Sequence, residues 1–202
     1  CKKKGEDMSK SKKNVPEING ILVNRARKSS YCREGDIGRV VRYVIRQRVF
    51  EDRADELISW GACGLPEWED ADGIVETFRI PQRQYRRKGA FGRFLDHEVY
   101  DFSPFEQAEM ESHHLEVDGI GRAMVRNIYR EGFQVLYAVH RKADSGDLHI
   151  HFVINSVNFK TGKKRHENKA AVSERRKAFH EIVNEEIRRE NSKKRILEKV
   201  FS

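Results

Sequence analysis

Two runs in the second half of the chain constrain its fold more than any other feature. Gln134–His140 (QVLYAVH) and Leu148–Ser156 (LHIHFVINS) are dense in β-branched and aromatic residues. The segment between them, Arg141–Asp147 (RKADSGD), is polar and carries Ser145-Gly146. Strand-forming runs around turn chemistry predict an antiparallel β-hairpin.

Side chains alternate along a strand, so His149, His151, Val153 and Asn155 share one face. Leu148, Ile150, Phe152 and Ile154 take the other, the natural core face. His140 ends the partner strand and comes opposite the His pair across the hairpin. Three imidazoles without a fourth protein ligand leave open positions on an ion, which is the pattern of a catalytic metal site. Such an ion polarises a phosphoryl oxygen as a Lewis acid.

The remaining pattern supplies helices and further strands. Asp36–Gln47 reads as a helix capped by Asp36, with Ile37, Val40, Val41, Val44 and Ile45 as its apolar stripe. At about 100° per residue, Tyr43 lies roughly 130° from the centre of that stripe, on the side of Arg39, Arg42 and Arg46. Glu56–Trp60 reads as a short strand, and Glu67–Gln84 as helical in its second half. Leu95–Phe102 reads as a strand stopped by Ser103-Pro104, and Glu106–His114 as a helix. Val117–Arg130 is amphipathic, with Gly132 at its C′ position. A long helix spans Ala170–Glu190 and frays past Asn191. An antiparallel hairpin mixed with these helices predicts an α+β fold with helices packed on one sheet.

The 202 residues suit one domain, with 1–15 as a basic disordered arm and 16–202 as the folded part. There are 40 Lys and Arg against 32 Asp and Glu, a net charge of +8, which favours an anionic partner such as nucleic acid. No apolar run is long enough to span a membrane. The Lys-rich start has no apolar stretch after it, so no signal peptide is expected. Three scattered cysteines make neither a disulfide framework nor a Cys-based zinc site, and a reducing cytoplasm fits.

The stretch AVHRKADSGDLHIHFVINSVNFKTGKK (Ala138–Lys164) resembles the third motif of plasmid and integrative-element relaxases. These are the MobA/VirD-like, or MOBP-class, members of the His-hydrophobe-His endonucleases. Their pattern is a His at a strand end, a loop, His-x-His, Asn on the same strand and a Gly-Lys-Lys turn. His140, His149, His151, Asn155 and Gly162-Lys163-Lys164 match it, with a slightly longer loop after His140. DHEVYDFSPFEQAE (Asp96–Glu109) resembles the second motif, and GRVVRYVIR (Gly38–Arg46) the first, where the nucleophilic tyrosine lies.

The resemblance implies a central antiparallel sheet of about five strands flanked by helices, with the His pair on the central strand. It implies a DNA relaxase that nicks one strand of a transfer origin, leaving a 5′-phosphotyrosine and a free 3′-hydroxyl. Tyr43 is then the nucleophile, and Tyr31 its competitor. The implied cofactor is Mn²⁺ or Mg²⁺; an imidazole site suits Mn²⁺ better, and zinc stays open. The implied partners are single-stranded or hairpin DNA of the origin, with accessory and coupling proteins of the transfer machinery. A monomer is expected, forming the N-terminal part of a longer protein.

Other residues have two readings each. Arg39, Arg42, Arg46, Arg86, Arg87, Lys88, Lys163 and Lys164 either grip DNA or are solvated charges. Asn155 orients a ligand, binds phosphate or makes a plain strand hydrogen bond. Glu98 and Asp101 are possible outer partners of the histidines. Ser103 touches DNA or caps the next helix, with the cap favoured. A rolling-circle initiator or single-tyrosine transposase shares the chemistry. In those families the tyrosine commonly follows the His motif, and here none follows Tyr137. A non-catalytic DNA-binding module suits the charge, yet has no need of three converging histidines.

Overall fold

A computed structural model describes residues 19–25, 30–46, 55–85 and 92–200. The basic arm and Arg86, Arg87 and Lys88 lie outside the described residues. Five strands form one antiparallel sheet: β1 (Ile21–Asn24), β2 (Glu56–Cys63), β3 (Leu95–Asp101), β4 (Val135–Arg141) and β5 (Leu148–Asn155), in the order β1-β3-β5-β4-β2. The helices are α1 (Gly35–Val44), α2 (Ala71–Gln84), α3 (Pro104–Ser112), α4 (Val117–Arg130) and α5 (Lys169–Val200). The fold is α+β, and the His-bearing strand β5 is central.

The β4–β5 hairpin forms where the sequence predicts it. Its loop closes with Lys142 N–H donating to the Asp147 carbonyl and Gly146 N–H to the Lys142 carbonyl, both at 2.9 Å. Gly146 sits at φ +76°, a left-handed geometry that suits glycine. Register places His140 opposite His149 and Ala138 opposite His151.

Each face of the sheet has its own core. On one face, Ile150, Phe152, Ile154, Tyr137 and Val139 pack with Ile120, Met124 and Ile128 of α4 and Phe179 and Val183 of α5. On the other, Leu95, Leu136, Ala138 and Val153 pack with Ile37, Val40, Val41 and Val44 of α1 and Ile74 and Phe78 of α2. Alternation predicts one core face for β5, but helices cover both, so every residue of that strand is buried.

Helix ends depart from expectation in instructive ways. α1 starts at Gly35, with Glu34 at the cap position and no side-chain cap. Asp36 instead lies in the first turn, where it accepts from Arg33 N–H at 3.0 Å and pairs with Arg39 at 2.8 Å. α5 runs to Val200, past the expected fraying point. α4 matches its expected bounds. Gly132 follows it at φ +98°, where a Cβ would meet the Asn158 amide at 2.5 Å.

Ser103 caps α3. Its hydroxyl accepts from Glu106 N–H at 3.1 Å, while Glu106 Oε2 accepts from Ser103 N–H at 2.9 Å. This capping box is buried, and Glu106 Oε1 also accepts from the Tyr100 hydroxyl at 2.8 Å. Ser103→Ala should therefore lower the unfolding free energy by about 1 kcal/mol. Urea unfolding reads it directly; an unchanged midpoint would show that the box contributes nothing.

Candidate active site

The site lies at one end of the sheet, on the face covered by α1 and α2. His149 and His151 project from β5 onto it, and His140 from β4. All three are buried, and one ring nitrogen from each lies within 4.8 Å of the others. Ring centroids are 4.6 Å apart for His140 and His151, and 4.8 Å for His149 and His151. The Nε2 atoms of His149 and His151 are 3.1 Å apart.

The outer nitrogens of His140 and His151 are held from behind. His140 Nε2–H donates to the Val44 carbonyl at 2.6 Å, which leaves Nδ1 with its lone pair. His151 Nδ1 meets His97 Nε2 at 2.9 Å, and His97 Nδ1 meets the Tyr31 hydroxyl at 3.1 Å. Asp55 Oδ2 lies 3.4 Å from His149 Nε2, while His149 Nδ1 is buried with no hydrogen-bond partner among the described residues.

Burial pushes all of these imidazoles toward the neutral form. His140 is lowered to about 4, mainly by desolvation and further by Arg46. His97 is also lowered to about 4 by burial, with Arg25 adding to it. His151 falls well below its ordinary value through burial and its neighbouring imidazoles, and burial lowers His149 too. Neutral imidazoles are the state that ligates a metal, and two of the three have an engaged rear nitrogen. The donor set thus fits a divalent cation.

The same burial makes stability pH-dependent in the metal-free protein. For His97 and His140 the folded value is about 4 and the unfolded value 6.5. Between those values the unfolded chain binds more protons, so this stability is complete above pH 6.5 and is lost as pH falls toward 4. From pH 7 to pH 5 each histidine should remove about 2 kcal/mol. Urea midpoints at the two pH values check this, and equal midpoints contradict it.

Tyr43 reaches the cluster from α1. The apolar stripe of that helix is buried, and Tyr43 is 37% exposed on its flank. Its ring stands edge-on to His151 at 5.8 Å between centroids. Arg46, at φ +55° just past the helix end, places its guanidinium 5.0 Å from the Tyr43 ring centre. Arg46 Nη2 also lies 3.2 Å from His140 Nδ1 and 4.0 Å from Asp55 Oδ2. Tyr31, Tyr43, Asp55, His97, His149 and His151 line one open cleft of about 880 Å³, together with Asp101 and Lys142. Burial raises the pKa of Tyr31, whose hydroxyl is engaged by His97, so it is a poor source of phenolate.

The structure corrects one of the other sequence candidates and gives each of the rest a place. Glu98 lies on the opposite face of β3. It takes charge-assisted bonds from Arg165 at 3.2 Å and Arg175 at 2.8 Å, far from any of the three histidines. Asp101 does sit opposite His149 in register, but its carboxylate pairs with Lys142 at 2.9 Å. Ser103 serves the helix cap. Lys163 and Lys164 lie past the far end of β5, about 13 Å from His151 along the strand to Asn155, where the chain turns and Lys164 bridges Val157. Lys164 donates to Ser156 Oγ at 3.0 Å, and burial lowers its pKa to about 8. On α1, Arg39 pairs with Asp36 and Arg42 with Asp72.

Asn155 shares the face of His149 and His151 but lies at the other end of β5, where its amide makes structural bonds. Its Nδ2 donates to the Phe78 carbonyl and Gln134 Oε1, both at 2.8 Å. Its Oδ1 accepts from Gln82 Nε2 and Val157 N–H, both at 3.0 Å. Asn155→Ala strands these buried partners and should cost about 3 kcal/mol, which urea unfolding reads. An unchanged urea midpoint would show that these bonds contribute nothing.

Sequence reasoning passed over His97 and Asp55. His97 was available through alternation, since it shares the face of Val99 and Asp101. Asp55 has no local signal: only the pairing of Leu57 with His140 brings it to the site.

A family model described as Relaxase: MobA/VirD2-like, nuclease domain, matches residues 43–186. No curated protein matches the chain.

Proposed function

The chain belongs to the MobA/VirD2-like relaxase family, and on that premise we propose that it nicks one strand at a DNA transfer origin by tyrosine transesterification. The observation that supports this most is the half-exposed Tyr43 ring edge-on to His151, beside a cluster of three neutral imidazoles.

In this reading Tyr43 Oη attacks the scissile phosphorus. The Oη–P bond forms and the P–O3′ bond breaks. The phenol loses its proton and the departing 3′-oxygen gains one. The product is a 5′-phosphotyrosine and a 3′-hydroxyl, and the ester retains the energy needed to rejoin the ends. Arg46 holds the phosphate charge beside the phenol. Arg39 and Arg42 exchange their partly exposed carboxylate partners for backbone phosphates, at small cost because such ion pairs are weak.

His140, His149 and His151 would hold the divalent cation, which supplies Lewis-acid polarisation of the phosphoryl oxygen when bound. All-nitrogen donors favour Mn²⁺ over Mg²⁺, with zinc as the third candidate. The partners are single-stranded or hairpin origin DNA and accessory and coupling proteins of conjugative transfer or mobilisation, with the protein acting as a monomer in a bacterial cytoplasm. No helix among the described residues is long and apolar enough to cross a membrane.

Single-stranded oligonucleotides from the parent element's origin test this. A covalent protein–DNA adduct should form with Mn²⁺ or Mg²⁺ and fail with EDTA. Cleavage without any adduct would make the protein a water-using phosphoesterase and overturn the proposal.

A further inference from the structure

Behind His151 stands a second imidazole, and behind that a phenol. His97 Nε2 is 2.9 Å from His151 Nδ1, and the Tyr31 hydroxyl is 3.1 Å from His97 Nδ1. Both rings are buried, so each nitrogen of the pair has the other as its hydrogen-bond partner. Two neutral imidazole nitrogens at that distance share one proton, and the chain has two arrangements.

In the first, His151 Nδ1–H donates to His97 Nε2, and His97 Nδ1–H donates to the Tyr31 oxygen. His151 Nε2 then carries a bare lone pair toward His149. In the second, Tyr31 donates to His97 Nδ1 and His97 Nε2–H donates to His151 Nδ1. The remaining His151 proton then sits on Nε2, inside the three-histidine cluster, where it blocks a cation. Only the first arrangement leaves a third ligand.

The backbone is arranged to place this phenol. Tyr31 has φ +59°, a left-handed geometry that a bulky side chain adopts at a cost of about 1–2 kcal/mol. Its carbonyl is fixed by Phe94 N–H at 2.8 Å, next to the strand that carries His97. Register sets Val99 opposite His151, so His97 approaches diagonally. Apolar packing of Tyr31 does not require that its hydroxyl end on an imidazole nitrogen.

We propose that His97, backed by Tyr31, is a positioning residue that holds the His151 proton on Nδ1 and so keeps Nε2 open to a divalent cation. The inference rests on the metal-site reading above and adds the element that sets its ligand state.

Long-range ¹H–¹⁵N spectra of the metal-free full chain report which ring nitrogen carries the proton. His151 should be protonated at Nδ1 in wild type, and His97→Leu should move the proton wholly or partly to Nε2. Mn²⁺ titration should then show about 10- to 100-fold weaker binding for His97→Leu. His97→Gln offers an amide oxygen near the former Nε2 and should recover most of that affinity, which a merely structural role would not predict. A wild-type His151 protonated at Nε2, or a Gln variant no better than Leu, overturns the proposal. Should the Leu variant not fold, the wild-type tautomer and the Gln variant still decide. Should wild type bind no Mn²⁺, the metal-site reading fails, and the tautomer result still judges His97 by itself.

Discussion

Tyr43→Phe should eliminate the covalent DNA adduct and lower strand cleavage by at least about 1,000-fold. The substitution removes one oxygen and leaves the ring, so its edge-on contact with His151 and its place beside Arg46 persist. The tyrosine sits on the exposed flank of α1, away from the buried stripe of Ile37, Val40, Val41 and Val44. Stability should therefore change by less than about 0.5 kcal/mol. Gel analysis of the reaction with an origin oligonucleotide and Mn²⁺ reads both adduct and free product. Tyr31→Phe is the matched control. It removes a hydroxyl already engaged by His97, and should keep the adduct while weakening metal binding only a few-fold. The reverse pattern would assign the nucleophile to Tyr31.

The second large effect belongs to His149→Ala. Of the three clustered histidines, His149 is the least tied to the protein: Nδ1 has no hydrogen-bond partner among the described residues, whereas His140 bonds the Val44 carbonyl and His151 meets His97. Removing it takes away a ligand with the least structural penalty. Two imidazoles hold a divalent cation far more weakly than three, so Mn²⁺ affinity should fall by more than about 100-fold. Nicking should fall with it, while far-UV circular dichroism stays that of wild type. Unchanged Mn²⁺ affinity in a folded His149→Ala protein would remove this histidine from the site. Excess Mn²⁺ restoring part of the nicking would show that the loss runs through the cation.

The parts of this molecule that rest on local pattern were legible in the sequence. The β4–β5 hairpin announces itself by alternation and turn chemistry, and its register follows from the loop, which set His140 against His149. α4 has a C′ glycine and a periodic apolar stripe, and its bounds were readable to the residue. Tyr43 was visible as the residue off the stripe of α1. What escaped reading depends on pairing between distant segments. β1 is four residues at a sheet edge and has no pattern of its own; β3 makes it a strand. His97 becomes a neighbour of His151 only through the β3–β5 register, and Asp55 reaches His149 only through β2 and β4. Glu98 is a different kind of miss. A strand repeats every two residues, so Glu98 and Asp101 cannot serve the same face. That rule alone excludes one of them, and the buried arginines Arg165 and Arg175 show which.

The account turns on one phenol beside three imidazoles, and peptide mapping tests that arrangement directly. Wild-type protein is reacted with a single-stranded origin oligonucleotide and Mn²⁺, digested with nuclease and protease, and examined by tandem mass spectrometry. A residual nucleotide phosphate on the Tyr43 side chain is the predicted result. The same mark on Tyr31 or any other residue, or cleaved DNA with no marked peptide, would contradict the account.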